Sequence, residues 1–111
     1  MAFDATLKVE DGTAKITLTG ELDAAAAPKF KSAVEQAAEA KAKRLVLMMN
    51  GLEYMASAGL RVLIFAKQKM GASVGVFVVG ARDAVVESIE MTGFHQSVTM
   101  LPTYDASVIE K

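Results

Sequence analysis

One serine in this sequence has neighbours that suit a chemical role. Ser57 lies between Ala56 and Ala58, and Gly59 follows at the point where a helical pattern begins. The small neighbours leave the hydroxyl open, and the first turn of a helix offers free N–H donors and partial positive charge to an anion. A phosphate on Ser57 would add about −1.5 to −2 charge to the surrounding surface. The simpler interpretation makes Ser57 the N-cap of the helix, with its Oγ accepting a hydrogen bond from a backbone N–H.

A second set of residues matches hydrolytic chemistry. Ser57, Asp83 and His95 follow the chain order of one type of serine hydrolase triad. The nucleophile elbow of such enzymes requires Gly-x-Ser-x-Gly, and Met55 occupies the position of the first glycine. A small serine hydrolase is therefore a remote alternative, and we predict that the protein is not an enzyme. His95 has no clustered ligand partner, so we also predict no metal site and no cofactor.

Composition places these residues in one small folded domain. The chain has 111 residues, of which 52% are hydrophobic and 6% aromatic, so a single aliphatic core is expected. The absence of cysteine fits a reducing cytosol. The net charge of −1 gives no basic surface for nucleic acid, and no apolar run is long enough to span a bilayer. We therefore predict one cytoplasmic domain over residues 1–111, without nucleic-acid or membrane partners.

Hydrophobic patterns and turn residues predict the elements that position Ser57. Asp11 and Gly12 form a hairpin turn, because both residues tolerate the positive φ of a type I′ turn. The expected strands are Phe3–Glu10, 14–20, Leu45–Met49, Ser73–Gly80 and Ser97–Leu101, and the expected helices begin near Pro28, cover Ser57–Met70 and 82–93, and end in a terminal turn or helix. This order predicts an α/β fold with a mixed sheet of four to five strands and about four helices. The sheet starts with an antiparallel hairpin and continues with parallel strands.

Three motifs carry a family resemblance over almost the whole chain. They are "GELD" (Gly20–Asp23), "SAGLRVL" (Ser57–Leu63) and "MTGF" (Met91–Phe94). In this order and spacing they resemble a bacterial STAS domain of the anti-sigma-factor antagonist type. In that family, a partner that is both serine kinase and anti-sigma factor phosphorylates the serine at the position of Ser57. The unphosphorylated antagonist binds this partner and frees the sigma factor, whereas the phosphorylated form releases it.

The resemblance implies a protein–protein interaction module, present as a monomer or as a heterodimer with an anti-sigma factor that is a serine protein kinase. Ser57 is the expected phosphoacceptor. The partner-binding surface is expected to comprise Glu21, Leu22, Asp23, Tyr54, Met55, Ala56, Ala58, Gly59, Leu60 and Arg61, with Glu53 at its polar edge. In this interpretation, the partner finds apolar contacts at Leu22, Tyr54, Met55 and Leu60.

Two positions depart from the family pattern. Many members carry an acid directly before the serine, where this chain has Ala56. Many also carry Asp or Asn in the preceding strand, where the matching residue is Met48. Both replacements predict a more apolar site around Ser57. They leave open an alternative function, in which a STAS subunit that is not phosphorylated serves as a scaffold in a multi-protein signalling or lipid-transport assembly.

Overall fold

The chain folds around one five-stranded mixed sheet, seen in a computed structural model that describes residues 2–110. Over these residues the elements are β1 (Asp4–Glu10), β2 (Thr13–Leu22), α1 (Ala27–Glu39), β3 (Arg44–Met55), α2 (Ser57–Met70), β4 (Gly75–Val79), α3 (Asp83–Met91), a 3-10 turn (Phe94–Gln96), β5 (Thr99–Leu101) and α4 (Ala106–Ile109). The strands follow one another across the sheet in chain order. β1 and β2 are antiparallel, and every later pair is parallel. The predicted α/β fold with a mixed sheet is confirmed.

The first hairpin forms where the sequence predicts it. Asp11 and Gly12 have φ values of 51° and 77°, and Glu10 pairs with Thr13 across the turn. Two positive φ values in succession are the requirement of a type I′ turn. The carbonyl of Gly12 also accepts a hydrogen bond of 2.7 Å from the backbone N–H of Lys43, which ties the hairpin to the start of β3.

The sheet has two faces of different character. On the first face, Ile16, Leu47 and Val78 are aligned across β2, β3 and β4 and are buried. Helices α1, α2 and α3 contribute buried side chains to the same core, namely Phe30, Val34, Leu60, Leu63, Val85 and Ile89. The second face carries a smaller cluster, in which Val46 and Val79 lie under Ile109 of α4. Residues 45–49 of β3 are apolar and pack on both faces of the sheet. The prediction of a strand buried on both faces at this position is therefore confirmed.

The length of β3 differs from the prediction. The strand does not end before Asn50 and Gly51 but continues to Met55. It continues because β2 also extends to Leu22, so Thr19 pairs with Gly51 and Leu22 with Met55. Two register shifts in this ladder accommodate extra residues of β3 as β-bulges. The long strand brings the chain to the start of α2 directly beside the end of β2.

Candidate functional site

Ser57 is the first residue of α2 and is exposed. Ala56 is the N-cap, with extended backbone angles, and no side chain of residues 2–110 caps the helix. The prediction that Ser57 is the N-cap is therefore wrong. Ala56 takes this position because its N–H donates to Leu22 O at 2.8 Å, which continues the β2–β3 pairing up to the helix. Ser57 Oγ forms no hydrogen bond with any side chain or backbone group of residues 2–110, so the hydroxyl is free.

The GELD motif lies beside the end of β3. Glu21 pairs with Tyr54 across the two strands. Gly20 has a φ of +84°, and a Cβ at this position would fall 2.3 Å from the carbonyl oxygen of Ala2. Glycine is therefore required there both by the backbone conformation and by the close approach of the N-terminal segment. The fold thus brings GELD and SAGLRVL together, as the predicted surface requires.

Asp23 has a structural role next to this surface. Its Oδ1 accepts a hydrogen bond of 2.9 Å from the N–H of Ala26, and its carbonyl accepts from Ala26 and Ala27 at 3.1 Å. These bonds hold the turn that leads into α1. The carboxylate remains exposed, so Asp23 is also available at the surface.

Burial divides the predicted partner-binding residues into two groups. The side chains of Leu22 and Met55 are 0% and 4% exposed, and Leu60 and Gly59 are also buried. The expectation that Leu22, Met55 and Leu60 offer contacts to a partner is therefore wrong for the free chain. Leu22 and Met55 are register partners whose side chains lie under the first turn of α2 at Gly59. They support the site from beneath.

The remaining residues of the predicted partner-binding surface are at least partly accessible to solvent. We call this set the Ser57 surface: Glu21, Asp23, Glu53, Tyr54, Ala56, Ser57, Ala58 and Arg61. Tyr54 is 49% exposed and is the largest apolar group in the set. Ala56 and Ala58 are half-buried, whereas the charged members are exposed. The Ser57 surface therefore combines a free hydroxyl and an aromatic ring with three acids and one arginine.

A shallow cleft of about 310 Å³ lies beside GELD. Its lining includes Glu21 and Asp23 together with Lys29 from α1. Lys29 Nζ lies 2.9 Å from Asp4 Oδ1 in β1. The hydrogen bond and the charge of Lys29 hold the pKa of the Asp4 carboxyl below its usual value. This ion pair joins α1 to the start of β1 at the margin of the Ser57 surface.

Met48 does not lie next to Ser57. It pairs with Val79 in β4 and packs against the second-face cluster. It also precedes the end of β3 at Met55 by seven residues, roughly 23 Å along an extended strand. The expectation that Met48 makes the site around Ser57 more apolar is therefore wrong. Of the two departures from the family pattern, Ala56 alone lies next to Ser57.

The three residues of the hydrolase alternative are not assembled. Asp83 is the first residue of α3, and His95 lies beyond the C-terminal end of the same helix. Between them lies α3, whose nine residues make it roughly 13 Å long. His95 Nδ1 is buried without a hydrogen-bond partner among the described residues. In the same part of the chain, no group of three or more His, Cys, Asp or Glu side chains could hold a metal ion.

The contacts of Asn50 with the loop before α3 could not be predicted from the sequence. Arg82 Nε donates to the carbonyl of Asn50 at 3.2 Å. Gly80, with a φ of +69°, lies so close to Asn50 that a Cβ would fall 2.2 Å from its Nδ2. These contacts fix the middle of β3 to the loop before α3. No local pattern could indicate them, because the partners are about 30 residues apart.

Within residues 2–110, none of the helices is both long and apolar enough to cross a lipid bilayer.

The mixed sheet and the exposed serine at the start of α2 define a STAS-type domain. The chain belongs to the STAS domain family, whose model matches residues 4–107. Anti-sigma-F factor antagonist RsfB of Mycobacterium tuberculosis is 24% identical over 102 residues, which cover 92% of this chain and 84% of that protein. The protein is thus homologous to anti-sigma factor antagonists, and the resemblance predicted from GELD, SAGLRVL and MTGF is confirmed.

Solved structures show the same fold. An anti-sigma factor antagonist from Mycobacterium paratuberculosis superposes with a TM-score of 0.91 at 24% identity and covers 99% of this chain and 96% of its own. The phosphorylated form of the Bacillus cell fate determinant SpoIIAA superposes with a TM-score of 0.67 at 19% identity, over 89% of this chain and 90% of its own.

Proposed function

We propose that this protein is an anti-sigma factor antagonist that binds an anti-sigma factor through the Ser57 surface and is released when Ser57 is phosphorylated. The observation that carries the proposal is the exposed Ser57 hydroxyl, which forms no hydrogen bond to residues 2–110 and begins α2. The antagonists RsfB and SpoIIAA support it by homology and by fold. The structure of SpoIIAA in a phosphorylated form supports the modification step.

Charge is the physical basis of the switch. Asp23 and Glu53 are exposed acids of the Ser57 surface, and Arg61 is the cation among its defined members. A phosphate would add about −1.5 to −2 charge between these groups. Burying this charge under a partner without a counterion costs several kcal/mol. A loss of about 4 kcal/mol weakens binding roughly a thousandfold, so release needs no refolding of the domain.

The phosphoryl transfer requires little from this chain. Ser57 Oγ would attack the γ-phosphorus of ATP, the bond to the β-phosphate oxygen would break, and ADP would leave. The hydroxyl proton would pass to a base of the kinase, which commonly supplies that group. Ala56 offers no acid for this purpose, so the catalytic groups would all come from the partner. Ser57 contributes an accessible nucleophile at a helix N-terminus, where the product phosphate is tolerated.

Intact-mass spectrometry tests the modification. The protein is incubated with ATP and each anti-sigma factor encoded in the genome of its source. With the cognate kinase, we expect the wild type to gain one phosphate and Ser57→Ala to gain none. Ser73→Ala, which removes another exposed serine, serves as the matched control and should be modified like the wild type. Equal modification of Ser57→Ala would contradict the assignment of Ser57.

Ala56 favours one second candidate, a STAS scaffold subunit that is never phosphorylated. The acid that many family members carry before the serine is absent here, and no side chain replaces it at the N-cap. The same experiment separates the two functions. A partner that binds tightly in the presence of ATP and leaves the mass unchanged would support the scaffold over the switch.

A further inference from the structure

Strand β3 extends well beyond its neighbour β4. The last pair between them joins Met48 to Val79. β3 then continues for seven residues to Met55, paired only with β2 on its other side. Within residues 2–110, the β4 side of this extension therefore has no strand neighbour.

Only the first part of the extension is covered. Arg82 Nε satisfies the carbonyl of Asn50, and Gly80 packs against the Asn50 side chain. Within residues 2–110, the backbone of the next five residues forms hydrogen bonds only in its ladder with β2. We call Gly51–Met55 the free β3 edge. Its length, roughly 17 Å, equals that of an average strand.

The side chains of the free β3 edge are divided between the core and the surface. Leu52 and Met55 are buried in the core, whereas Glu53 and Tyr54 point to the exterior. Proteins commonly protect open strand edges with proline or lysine, and Gly51–Met55 contains neither. The segment does contain a β-bulge at Glu53, which has no register partner in β2 and bends the strand there. The backbone on either side of this bulge is open to strand pairing.

We infer that the free β3 edge accepts an extended segment of the anti-sigma factor as an added strand. This inference rests on the proposed function and specifies how the partner is recognised. Main-chain hydrogen bonds would supply affinity, as in other cases of strand addition. The matching segment would be about five residues long, with a cation opposite Glu53 and an apolar group against Tyr54. Because its end would reach Ala56 and Ser57, a phosphate on Ser57 would meet the added strand directly.

Nuclear magnetic resonance tests the inference with the anti-sigma factor that binds the wild type. In the complex we expect slowed amide exchange within residues 51–55 and intermolecular amide–amide contacts typical of paired strands. Binding that shifts Ser57 and Arg61 while exchange at 51–55 stays unchanged would overturn strand addition and leave the proposed function standing. No binding by any candidate anti-sigma factor would overturn the proposed function and this inference with it.

A charge-reversal variant tests the inference independently. Glu53→Lys places a cation opposite the cation expected in the added strand and should weaken binding by about fivefold. Glu39→Lys makes the same change at an exposed position of α1 and should leave the affinity unchanged. An equal effect of both variants would show that general charge, and not the free β3 edge, controls binding.

Discussion

The backbone of Gly59 lies directly on the side chain of Leu22. A Cβ at position 59 would fall 2.6 Å from Leu22 Cγ and 3.1 Å from Met55 Cγ. Glycine therefore allows the first turn of α2 to rest on the joined ends of β2 and β3. This contact sets the height at which Ser57 begins the helix above the sheet.

Gly59→Ala should destabilise the protein. Alanine favours a helix by about 1 kcal/mol over glycine. Overpacking against the fully buried Leu22 costs about 1–3 kcal/mol. We expect a net loss of about 1 kcal/mol in the free energy of unfolding, measured by urea denaturation. Ser57→Ala, an exposed change in the same turn, should stay within about 0.5 kcal/mol of the wild type. A Gly59→Ala variant more stable than the wild type would contradict the close packing.

Ile109 should anchor the C-terminal segment to the second face of the sheet. Its side chain is 2% exposed and lies in the cluster with Val46 and Val79. Ile109→Ala should therefore lower the free energy of unfolding by about 2 kcal/mol or more. Val108→Ala, at a neighbour that is 40% exposed, should cost about 0.5 kcal/mol or less. Equal losses for the two variants would show that α4 is not docked on β3 and β4.

The Asp4–Lys29 pair should make a pH-dependent contribution. Lys29 lowers the pKa of Asp4 in the folded state, through its hydrogen bond first and its charge second. The resulting stabilisation is present above the pKa of the unfolded chain and is lost as the pH falls through the lower pKa of the folded state. Lys29→Gln should raise the pKa of Asp4 towards its ordinary value, as measured by a carboxyl NMR titration. Lys69→Gln, on the exposed part of α2, should leave it unchanged, and an identical Asp4 titration in the wild type and Lys29→Gln would contradict the ion pair.

Local patterns predicted much of the fold. The bounds of α2 coincide with the expected Ser57–Met70, because the helical pattern and the following Gly71 both act locally. The turn at Asp11 and Gly12 was equally predictable from its residue types. The extension of β3 was not, because Asn50 and Gly51 indicate a turn locally, whereas pairing with β2 keeps the chain extended.

The candidate site was predicted in position but not in detail. Ser57 is exposed and adjacent to GELD, as expected from the order of the motifs. The sequence alone does not show that Leu22 and Met55 point into the core beneath α2. This follows only from the register of the two strands. The N-cap is Ala56, one residue before the expected Ser57, because a hydrogen bond to the Leu22 carbonyl holds Ala56 in an extended conformation.

Calorimetric titration of the anti-sigma factor with Ser57 variants tests the charge switch most directly. Ser57→Asp places a permanent negative charge at the first residue of α2, whereas Ser57→Ala removes the hydroxyl without adding charge. The account predicts that Ser57→Ala binds like the wild type and that Ser57→Asp binds at least about tenfold more weakly, a difference of about 1.4 kcal/mol. Binding of Ser57→Asp as tight as that of the wild type would contradict it.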